Sequence, residues 1–379
     1  MNFEFEDEHK LLKDTLVNFV NKEVKPLAQQ IDKEHKIPES LIQKMADLGL
    51  LGTYIPEEFG GAGMDYFSYI ITVEEVSKGC GSSGVFISAH TSLACDPILS
   101  FGNEEQKKKY LPVLAKGERI GCILLTEPEA GSDVANIQTT YKRDGDYYVV
   151  NGNKIFITNG GFRGIGILFA SFDRSLKHKG LSAFIIDLQS EGVEILKNEE
   201  KMGIRGSYTT AIGFNNVKIP VENLLGKEGD GFKIAMETLN GGRIGIAAQA
   251  LGIAEGAFEK ALEYSKERKQ FGKPISELQA IQFKLADMAT KIETAKLITY
   301  KAAWLKNMKK TNAMESAMCK MYASEAATYV TKEAVQIFGG YGYICEYEVE
   351  RMYRDAKITE IYEGTNEVQR VVISKMLLK

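Results

Sequence analysis

The spacing of hydrophobic positions changes twice along the chain and divides it into three parts. In the first part, Leu12, Leu16, Phe19 and Val20 recur three or four positions apart, which predicts helices. Short runs of β-forming residues separated by turn residues follow, and the helical spacing then returns. The pattern therefore predicts an N-terminal α-helical domain (1–120), a middle β domain (121–230) and a C-terminal helical bundle (231–379).

Local signals at Pro, Gly and Asn refine these elements. Pro38 near the start and Gly49 as a stop predict a helix that runs to Leu48. A charged helical turn over residues 104–111 is expected to end near Pro112, because proline interrupts helices.

The middle part carries signals of β-hairpins. The run Tyr147–Val150 lies between the dipeptides Asp144-Gly145 and Asn151-Gly152, and dipeptides of this kind favour hairpin turns. Further β-rich runs cover residues 154–158, 167–172 and 181–186. Strands and helices do not alternate here, so we expect an antiparallel sheet and not a parallel nucleotide-binding sheet.

In the last part, apolar residues step by four and three positions, which is typical of a bundle seam. They are Ile281, Leu285, Met288, Ile292 and Ala295. The fold class predicted from the whole pattern is α+β, with a four-helix-type bundle at the C-terminus.

Composition narrows the class of protein. The 379 residues carry 47 Lys and Arg against 51 Asp and Glu, a net charge of −4, which argues against a nucleic-acid binder. No apolar run approaches the roughly 18 residues of a membrane span. The acidic N-terminus lacks the features of a secretory signal, so we expect a cytoplasmic protein. Five widely spaced cysteines indicate free thiols, and isolated histidines predict no metal site.

Two motifs in the β domain are candidates for ligand binding. In residues 125–133, a threonine and a Gly131-Ser132 pair offer hydroxyls and backbone N–H groups suited to phosphate or a polar heterocycle, although a surface turn has the same composition. In residues 156–161, Phe156 and Thr158 share one face of a strand, where a ring could stack and a hydroxyl could bond a ring heteroatom. An ordinary strand end is the alternative.

Two motifs in the helical bundle also suit a nucleotide. In residues 267–274, the guanidinium of Arg268 could bind a pyrophosphate and Phe271 could stack on a base; the alternative is a basic helix end. In residues 336–343, glycines that follow a helix allow close approach of backbone to a ligand, or they cap the helix.

A fifth motif, in residues 361–370, contains a candidate base. Glu363 precedes Gly364, which interrupts the helical pattern, so its carboxylate could project from a loop into a pocket. Apolar walls would raise its pKa and suit it to proton abstraction. The alternative is a solvated glutamate.

Together, in this order and over the full length, the five motifs resemble those of the acyl-CoA dehydrogenase family, and among its members the short-chain, butyryl-type bacterial enzymes. Residues 55–61, 201–207 and 223–232 extend the resemblance. It implies FAD as cofactor, a homotetramer built as a dimer of dimers, and α,β-dehydrogenation of a short or medium acyl-CoA thioester to the trans-2-enoyl-CoA. The electrons are then expected to pass to an electron-transferring flavoprotein.

The resemblance also implies roles for single residues. The flavin and its phosphates are expected to contact Leu125, Thr126, Gly131, Ser132, Phe156 and Thr158. The adenine dinucleotide half of a cofactor held mainly by a neighbouring subunit is expected to contact Arg268, Phe271, Gln279, Gln336 and Gly340. Cofactor contacts near the base are expected from Thr365 and Glu367. The substrate is expected to contact Ser132, Asn240, Arg243 and Gly364, with Asp96 as a further candidate.

Glu363 is the predicted base for the α-proton. Some members of the family carry the base on another helix, just before the arginine that corresponds to Arg243. Here that position is Gly242, while Glu363 is present at the alternative site. The backbone N–H of Glu363 is also expected to donate to the thioester carbonyl.

Asp96 departs from the small or neutral residue that relatives commonly carry. One interpretation is a solvated or capping residue beside Pro97. The other is a second carboxylate in the acyl pocket, which would handle an alicyclic or polar acyl group. Two further alternatives concern the whole protein: a flavoprotein oxidase or monooxygenase of the same fold, which would consume oxygen rapidly, and a non-catalytic flavin-binding scaffold.

Overall fold

Helices fill the first part of the computed structural model, which describes residues 6–310 and 312–378. They are α1 (Asp7–Phe19), α2 (Ala28–Glu34), α3 (Glu39–Asp47), α4 (Tyr66–Gly79), α5 (Gly81–His90), α6 (Asp96–Phe101) and α7 (Glu104–Ala115). Wider π-helical turns at Val20–Val24 and Thr91–Cys95 continue α1 and α5. The second of these turns joins α5 to α6, so the chain from Gly81 to Phe101 runs as one nearly continuous helix.

The helix limits follow the sequence signals except at one proline. Helix α3 starts after Pro38 and ends before Gly49, whose φ of 72° is left-handed, as predicted. Helix α7 starts at a capping box between Asn103 and Gln106. The prediction that this helix ends near Pro112 is wrong, because α7 continues to Ala115. The last turn buries Leu114 in a hydrophobic core, and this packing outweighs the hydrogen bond that proline removes.

Within the described residues, one sheet of eight strands forms the middle part. The strands are β1 (Gly121–Leu124), β2 (Thr140–Asp144), β3 (Tyr147–Thr158), β4 (Ile165–Ser171), β5 (Leu181–Asp187), β6 (Val193–Asn198), β7 (Thr209–Pro220) and β8 (Leu224–Leu225). Their order is β6-β7-β3-β2-β4-β5-β8, and β1 pairs with β4. The sheet is antiparallel, as predicted, except that β1 runs parallel to β4 and β2 meets β4 in a parallel pair at Thr140 and Ser171.

One of the two predicted turns is a turn and the other is not. Asp144 pairs with Tyr147, so the chain reverses at Asp144-Gly145 as predicted. The prediction of a turn at Asn151-Gly152 is wrong, because β3 runs through it with only a shift of register. Asn151 exchanges hydrogen bonds with Asn216 of β7, which holds this stretch in the sheet as a bulge.

The third part is helical again. It contains α8 (Gly231–Glu267), α9 (Gln279–Asn307), α10 (Ala313–Phe338), α11 (Val349–Ile358) and α12 (Asn366–Leu377), with the short strands β9 (Lys269–Gln270) and β10 (Lys273–Pro274) forming a hairpin after α8. In the predicted seam of α9, Met288, Ile292 and Ala295 are buried. Short 3-10 turns lie between elements at Lys25–Leu27, Leu50–Gly52, Glu57–Phe59, Val134–Asn136, Gly160–Phe162, Arg174–Gly180, Val221–Asn223, Ile275–Glu277 and Gly339–Tyr343.

A large hydrophobic core joins the first and third parts. It contains Ile70 and Val73 of α4, Ala247 and Leu251 of α8, and Ala327 of α10. Helix α8 is therefore buried along its middle. Helix α4 of the first part and helix α10 of the third part both pack against it. None of the described helices has the length and apolarity that a membrane crossing requires.

Candidate active site

Glu363 lies in the turn between α11 and α12 and points its carboxylate inward. Its φ is 53°, and the next residue, Gly364, has a φ of 91°, so two successive left-handed residues turn the chain here. Burial raises the pKa of Glu363 to about 8, and the nearby cations of Arg243 and Lys320 oppose that rise. No donor among residues 6–310 and 312–378 bonds its Oε2 atom. The site therefore holds a buried carboxylate that takes up a proton readily.

The carboxylate of Glu363 occupies space beside Gly242 of helix α8. A Cβ atom at position 242 would overlap with Oε2 of Glu363 and would lie 2.8 Å from Cδ2 of Leu93. Only glycine leaves room for the carboxylate at this point. The two alternative base positions that the family resemblance implies are thus neighbours in space, and this chain has a glycine at one and a glutamate at the other.

The loop that carries Glu363 is held from behind by a buried lysine. Nζ of Lys320, on α10, donates to the carbonyl of Gly364 at 2.8 Å and to Oδ1 of Asn366 at 3.0 Å. Nε2 of Gln369 donates to the same Gly364 carbonyl at 2.7 Å and to that of Glu363 at 3.3 Å. Burial lowers the pKa of Lys320 to about 8. These contacts fix the left-handed turn and the direction of Glu363.

Arg243 and Asn240, predicted to contact substrate, lie on the same helix beside Glu363, the predicted base. Nη1 of Arg243 donates to Oδ1 of Asn240 at 2.9 Å, and the guanidinium is close enough to Glu363 to affect its pKa. The side chain is buried, and its Nε has no acceptor in the part of the chain that the structure describes. The structure therefore brings together Glu363, Gly364, Asn240 and Arg243.

Asp96 lies nearby and is neither solvated nor a helix cap. It is 7% exposed, and its Oδ2 accepts from Nζ of Lys306, at the end of α9, at 3.0 Å. The interpretation of Asp96 as a solvated or capping residue is wrong, because a lysine 210 positions away pairs with it in the folded chain. A Cβ at Gly241 would lie 3.5 Å from its Oδ2.

The two motifs of the β domain meet beside the C-terminal end of β3. The backbone N–H of Ile155 donates to the carbonyl of Thr126 at 2.9 Å, and Nζ of Lys154 donates to that of Leu125 at 3.0 Å. Phe156 sits at a bulge with a φ of 57° and its side chain is 60% exposed, while Thr158, at the end of the strand, is half-buried. In the same loop Gly131 and Ser132 are exposed, and a Cβ on Gly131 would meet nothing within 4 Å.

A buried ion pair that the sequence analysis missed supports this loop. Nζ of Lys154 lies 2.7 Å from Oε1 of Glu127, and both side chains are buried. Glu127 also accepts from the backbone N–H groups of Gln138 and Thr139. Burial lowers the pKa of Lys154 to about 8, against the effect of Glu127. The sequence contained a signal for this burial, because Lys154 lies six positions after the buried Tyr148 in β3 and so lies on the same face of the strand.

A third group of predicted residues lies around a surface cavity of about 420 Å³. Arg268 and Gly340 line it, and the guanidinium of Arg268 lies 5.3 Å from the ring centre of Tyr341. Phe271 lies at the tip of the β9–β10 hairpin, 89% exposed. Among the described residues, Phe271 does not line this cavity. Gln279 and Gln336 do not line it either, and both are exposed.

Thr365 and Glu367 line a second cavity, of about 330 Å³, next to the Glu363 loop. The hydroxyl of Thr365 accepts from the backbone N–H of Val368 at 3.3 Å and so caps α12. Bonds to the backbone and to the Thr365 hydroxyl lower the pKa of Glu367. Thr365 therefore has a structural role whether or not a cofactor contacts it.

Three buried carboxylates between α4 and α8 form a further cluster. Oxygen atoms of Glu74, Glu75 and Glu255 lie within 4.8 Å of one another. Lys296 forms ion pairs with Glu74 and Glu255, and Nζ of Lys13 lies 3.1 Å from Glu75. Two lysines pair with these three acids, and burial together with the charge of Glu255 raises the pKa of Glu74 to about 8. We interpret the cluster as a structural ion-pair network.

Comparison with known proteins assigns the family. Three family models match in succession: the acyl-CoA dehydrogenase N-terminal domain over residues 6–118, the middle domain over 122–217 and the C-terminal domain over 229–378. The chain is 52% identical, over 379 residues and the full length of both proteins, to the short-chain-specific acyl-CoA dehydrogenase of Clostridium acetobutylicum.

Solved structures agree. The butyryl-CoA dehydrogenase of Megasphaera elsdenii superposes with a TM-score of 0.98 at 48% identity, covering 100% of both chains. A chain from the structure reported for the electron transferring flavoprotein of Acidaminococcus fermentans superposes with a TM-score of 0.99 at 51% identity, again over 100% of both chains. The chain belongs to the acyl-CoA dehydrogenase family.

Proposed function

We propose that this chain dehydrogenates a short-chain acyl-CoA thioester between Cα and Cβ to the trans-2-enoyl-CoA, with FAD as cofactor and an electron-transferring flavoprotein as acceptor. The observation that carries the proposal is the buried carboxylate of Glu363, with its raised pKa and an Oε2 that no described donor bonds. The similarity to short-chain and butyryl-CoA dehydrogenases over the whole chain supports the choice of substrate class.

Glu363 is proposed to take the α-proton of the thioester. That proton is weakly acidic, so the reaction needs a base of raised pKa and a donor that stabilises negative charge on the thioester oxygen. Glu363 would supply both, the first from its carboxylate and the second from its backbone N–H, which no acceptor within the described ranges takes up. The left-handed turn at Glu363 and Gly364 orients the two groups together.

The residues present suit FAD. Beside the half-buried Thr158, the exposed ring of Phe156 offers a flat apolar surface, and open space at Gly131 allows backbone N–H groups to reach phosphate. Arg268 beside open space at Gly340 suits a pyrophosphate. When bound, FAD supplies the oxidising power by accepting a hydride equivalent from the β-carbon.

The remaining predicted contacts form part of the same proposal. Leu125, Thr126, Ser132, Phe271, Gln279, Gln336, Thr365 and Glu367 are proposed to contact the cofactor, several of them across a subunit boundary. Asn240, Arg243, Gly364 and Ser132 are proposed to contact the substrate, with Arg243 toward the CoA portion. The buried, incompletely bonded guanidinium of Arg243 supports a role toward a polar ligand.

The active form is proposed to be a homotetramer, a dimer of dimers, located in the cytoplasm. The exposed face of α9 supports assembly, because Phe283, Leu297 and Trp304 recur at multiples of seven and are 60%, 45% and 50% exposed in the single chain. Free cysteines, four of the five buried, accord with a reducing compartment. The domain limits near residues 120 and 230 stay a prediction, supported by the ranges of the family models.

The test uses the purified flavin-containing protein with butyryl-CoA and an artificial electron acceptor. We expect Glu363→Gln to lower kcat by about 10³, within the range for loss of a general base. Glu360→Gln is the matched control, because Glu360 lies in the same turn and pairs with Lys357. Turnover retained in Glu363→Gln would contradict the assignment. Rapid oxygen consumption without acceptor would indicate an oxidase, and a protein without flavin absorbance would indicate a scaffold.

A further inference from the structure

The ion pair of Asp96 and Lys306 lies beside the base. Gly241 and Gly242 are consecutive residues of α8, with Cα atoms about 3.8 Å apart. A Cβ at Gly242 would overlap with the carboxylate of Glu363, and a Cβ at Gly241 would lie 2.7 Å from Nζ of Lys306. The charge pair and the base therefore border neighbouring positions on the same helix.

The residues that face these two glycines from the π-helical turn and α6 follow the same order. Leu93, in the π-helical turn before α6, lies 2.8 Å from the Cβ site at Gly242, and Asp96 lies one turn later at Gly241. The hydroxyl of Tyr66 donates to the carbonyl of Gly241 at 2.9 Å, and Nζ of Lys306 lies 5.0 Å from the centre of the same ring. The surroundings are thus apolar next to Glu363, at Leu93, and charged one position earlier along α8, at Asp96 and Lys306.

Both side chains of the pair are largely withdrawn from solvent. The side chain of Asp96 is 10% exposed and that of Lys306 is 23% exposed, so the lysine reaches inward from the surface. An acyl chain that extends from Glu363 past Leu93 would meet two charges. Apolar methylene groups placed against these charges would strip them of remaining water without replacing its hydrogen bonds, which is unfavourable.

We propose that the Asp96–Lys306 ion pair forms the far end of the acyl pocket and restricts the enzyme to short acyl groups. The inference rests on the proposed function, since it names the substrate range of the same site. The selection acts by exclusion: a butyryl group stops before the pair, whereas a longer apolar chain must displace or desolvate it.

The test removes both charges together, because removal of one would leave a buried unpaired charge. We expect Asp96→Ser/Lys306→Met to raise the ratio of kcat/KM for octanoyl-CoA to that for butyryl-CoA about tenfold, as pocket selection by apolar length allows. The control is Lys301→Met/Glu315→Ser, which removes an ion pair of 3.6 Å between an exposed lysine on the same helix and a half-buried glutamate. This control is expected to keep the wild-type ratio.

Binding measured without turnover separates the two proposals. In the Glu363→Gln background, calorimetry gives Kd for butyryl-CoA and octanoyl-CoA with and without the Asp96–Lys306 pair. We expect tighter binding of octanoyl-CoA alone when the pair is removed. Unchanged Kd and kcat/KM ratios in a folded, flavin-containing double variant would overturn the inference while leaving the dehydrogenase function intact.

Failure of the wild type to oxidise any acyl-CoA would contradict the proposed function instead, and the Kd values would still show whether the pair selects by length. If the first double variant does not fold, Asp96→Asn/Lys306→Gln keeps a hydrogen bond between uncharged groups. It is expected to raise the same ratio, and an unchanged ratio would overturn the inference.

Discussion

The carboxylate of Glu363 fills the space that a side chain at Gly242 would occupy. A glutamate at 363 therefore requires a glycine at 242, because the two side chains would compete for the same space. Any residue larger than glycine at 242 must push the base away from its position.

This relationship predicts the effect of Gly242→Ala. Alanine in a helix is ordinarily about 1 kcal/mol more favourable than glycine, yet here we expect a loss of roughly 1 to 3 kcal/mol in unfolding free energy from overpacking. We also expect kcat to fall about tenfold as Glu363 moves. Denaturant unfolding of Gly242→Ala, with and without Glu363→Ala, measures the coupling. Equal effects of Gly242→Ala in both backgrounds would show that the two residues do not compete for space.

The raised pKa of Glu363 predicts how activity and stability depend on pH. Because the base must be ionised, kcat/KM for butyryl-CoA should rise as pH increases through about 8 and level off above it. The folded state binds this proton more tightly than the unfolded state does, where the pKa is near 4.5. The contribution of Glu363 to stability is therefore full below pH 4.5 and is lost as pH rises through about 8.

The comparison with Glu363→Gln checks this sign, because glutamine has no proton to lose. We expect the variant to match the wild type in thermal stability at pH 5 and to exceed it above pH 8. Identical stability curves for the two proteins across this range would contradict the prediction, because they would show that ionisation of Glu363 does not destabilise the folded state.

Lys320 is expected to act as a positioning residue. In Lys320→Met the Gly364 carbonyl loses its ammonium donor, and we expect kcat to fall about 100-fold through misplacement of the base. Loss of a nearby positive charge should also move the rise of kcat/KM to higher pH, since Lys320 lowers the pKa of Glu363. Lys332→Met, at an exposed position of α10, is the control. A pH profile that does not move would leave Lys320 with a purely structural role.

The buried pair of Lys154 and Glu127 is predicted to hold the loop that we propose contacts the cofactor. Lys154→Met leaves the carboxylate of Glu127 buried without a counter-charge, and we expect a loss of roughly 3 to 5 kcal/mol in stability together with faster FAD release. The double variant Lys154→Met/Glu127→Gln should recover much of the stability. Lys142→Met, exposed on β2 of the same sheet, should change neither property. Flavin fluorescence during dilution measures the release.

Elements with strong local signals could be predicted from the sequence. Helix α3 lies between Pro38 and Gly49 because both residues act through their own backbone angles. Asn151-Gly152 carries an equally strong turn signal and is not a turn, since a partner strand supplies hydrogen bonds to Asn151 from residue 216. Local preference decides where no distant contact competes with it.

The family resemblance names Glu363 as the candidate base, and Gly364 indicates that it lies in a loop, but the surroundings of Glu363 could not be predicted. Lys320 lies 44 positions from the carbonyl it bonds, and Lys306 lies 210 positions from Asp96. Such pairs depend on how helices pack. A partial signal does exist in α10, where Lys320 interrupts a buried face of small residues that includes Cys319 and Ala323. A lysine in that setting needs a buried partner.

Two adjacent glycines in α8, Gly241 and Gly242, face two different parts of the site. Gly242 faces the carboxylate of Glu363, the proposed base, and Gly241 faces the charge pair that we propose limits the acyl chain length. A side chain at 242 would meet Glu363 and Leu93, whereas one at 241 would meet Lys306 and Asp96, so the two positions have different partners. We therefore expect that reactivity and substrate range can diverge separately within this scaffold through single substitutions one residue apart.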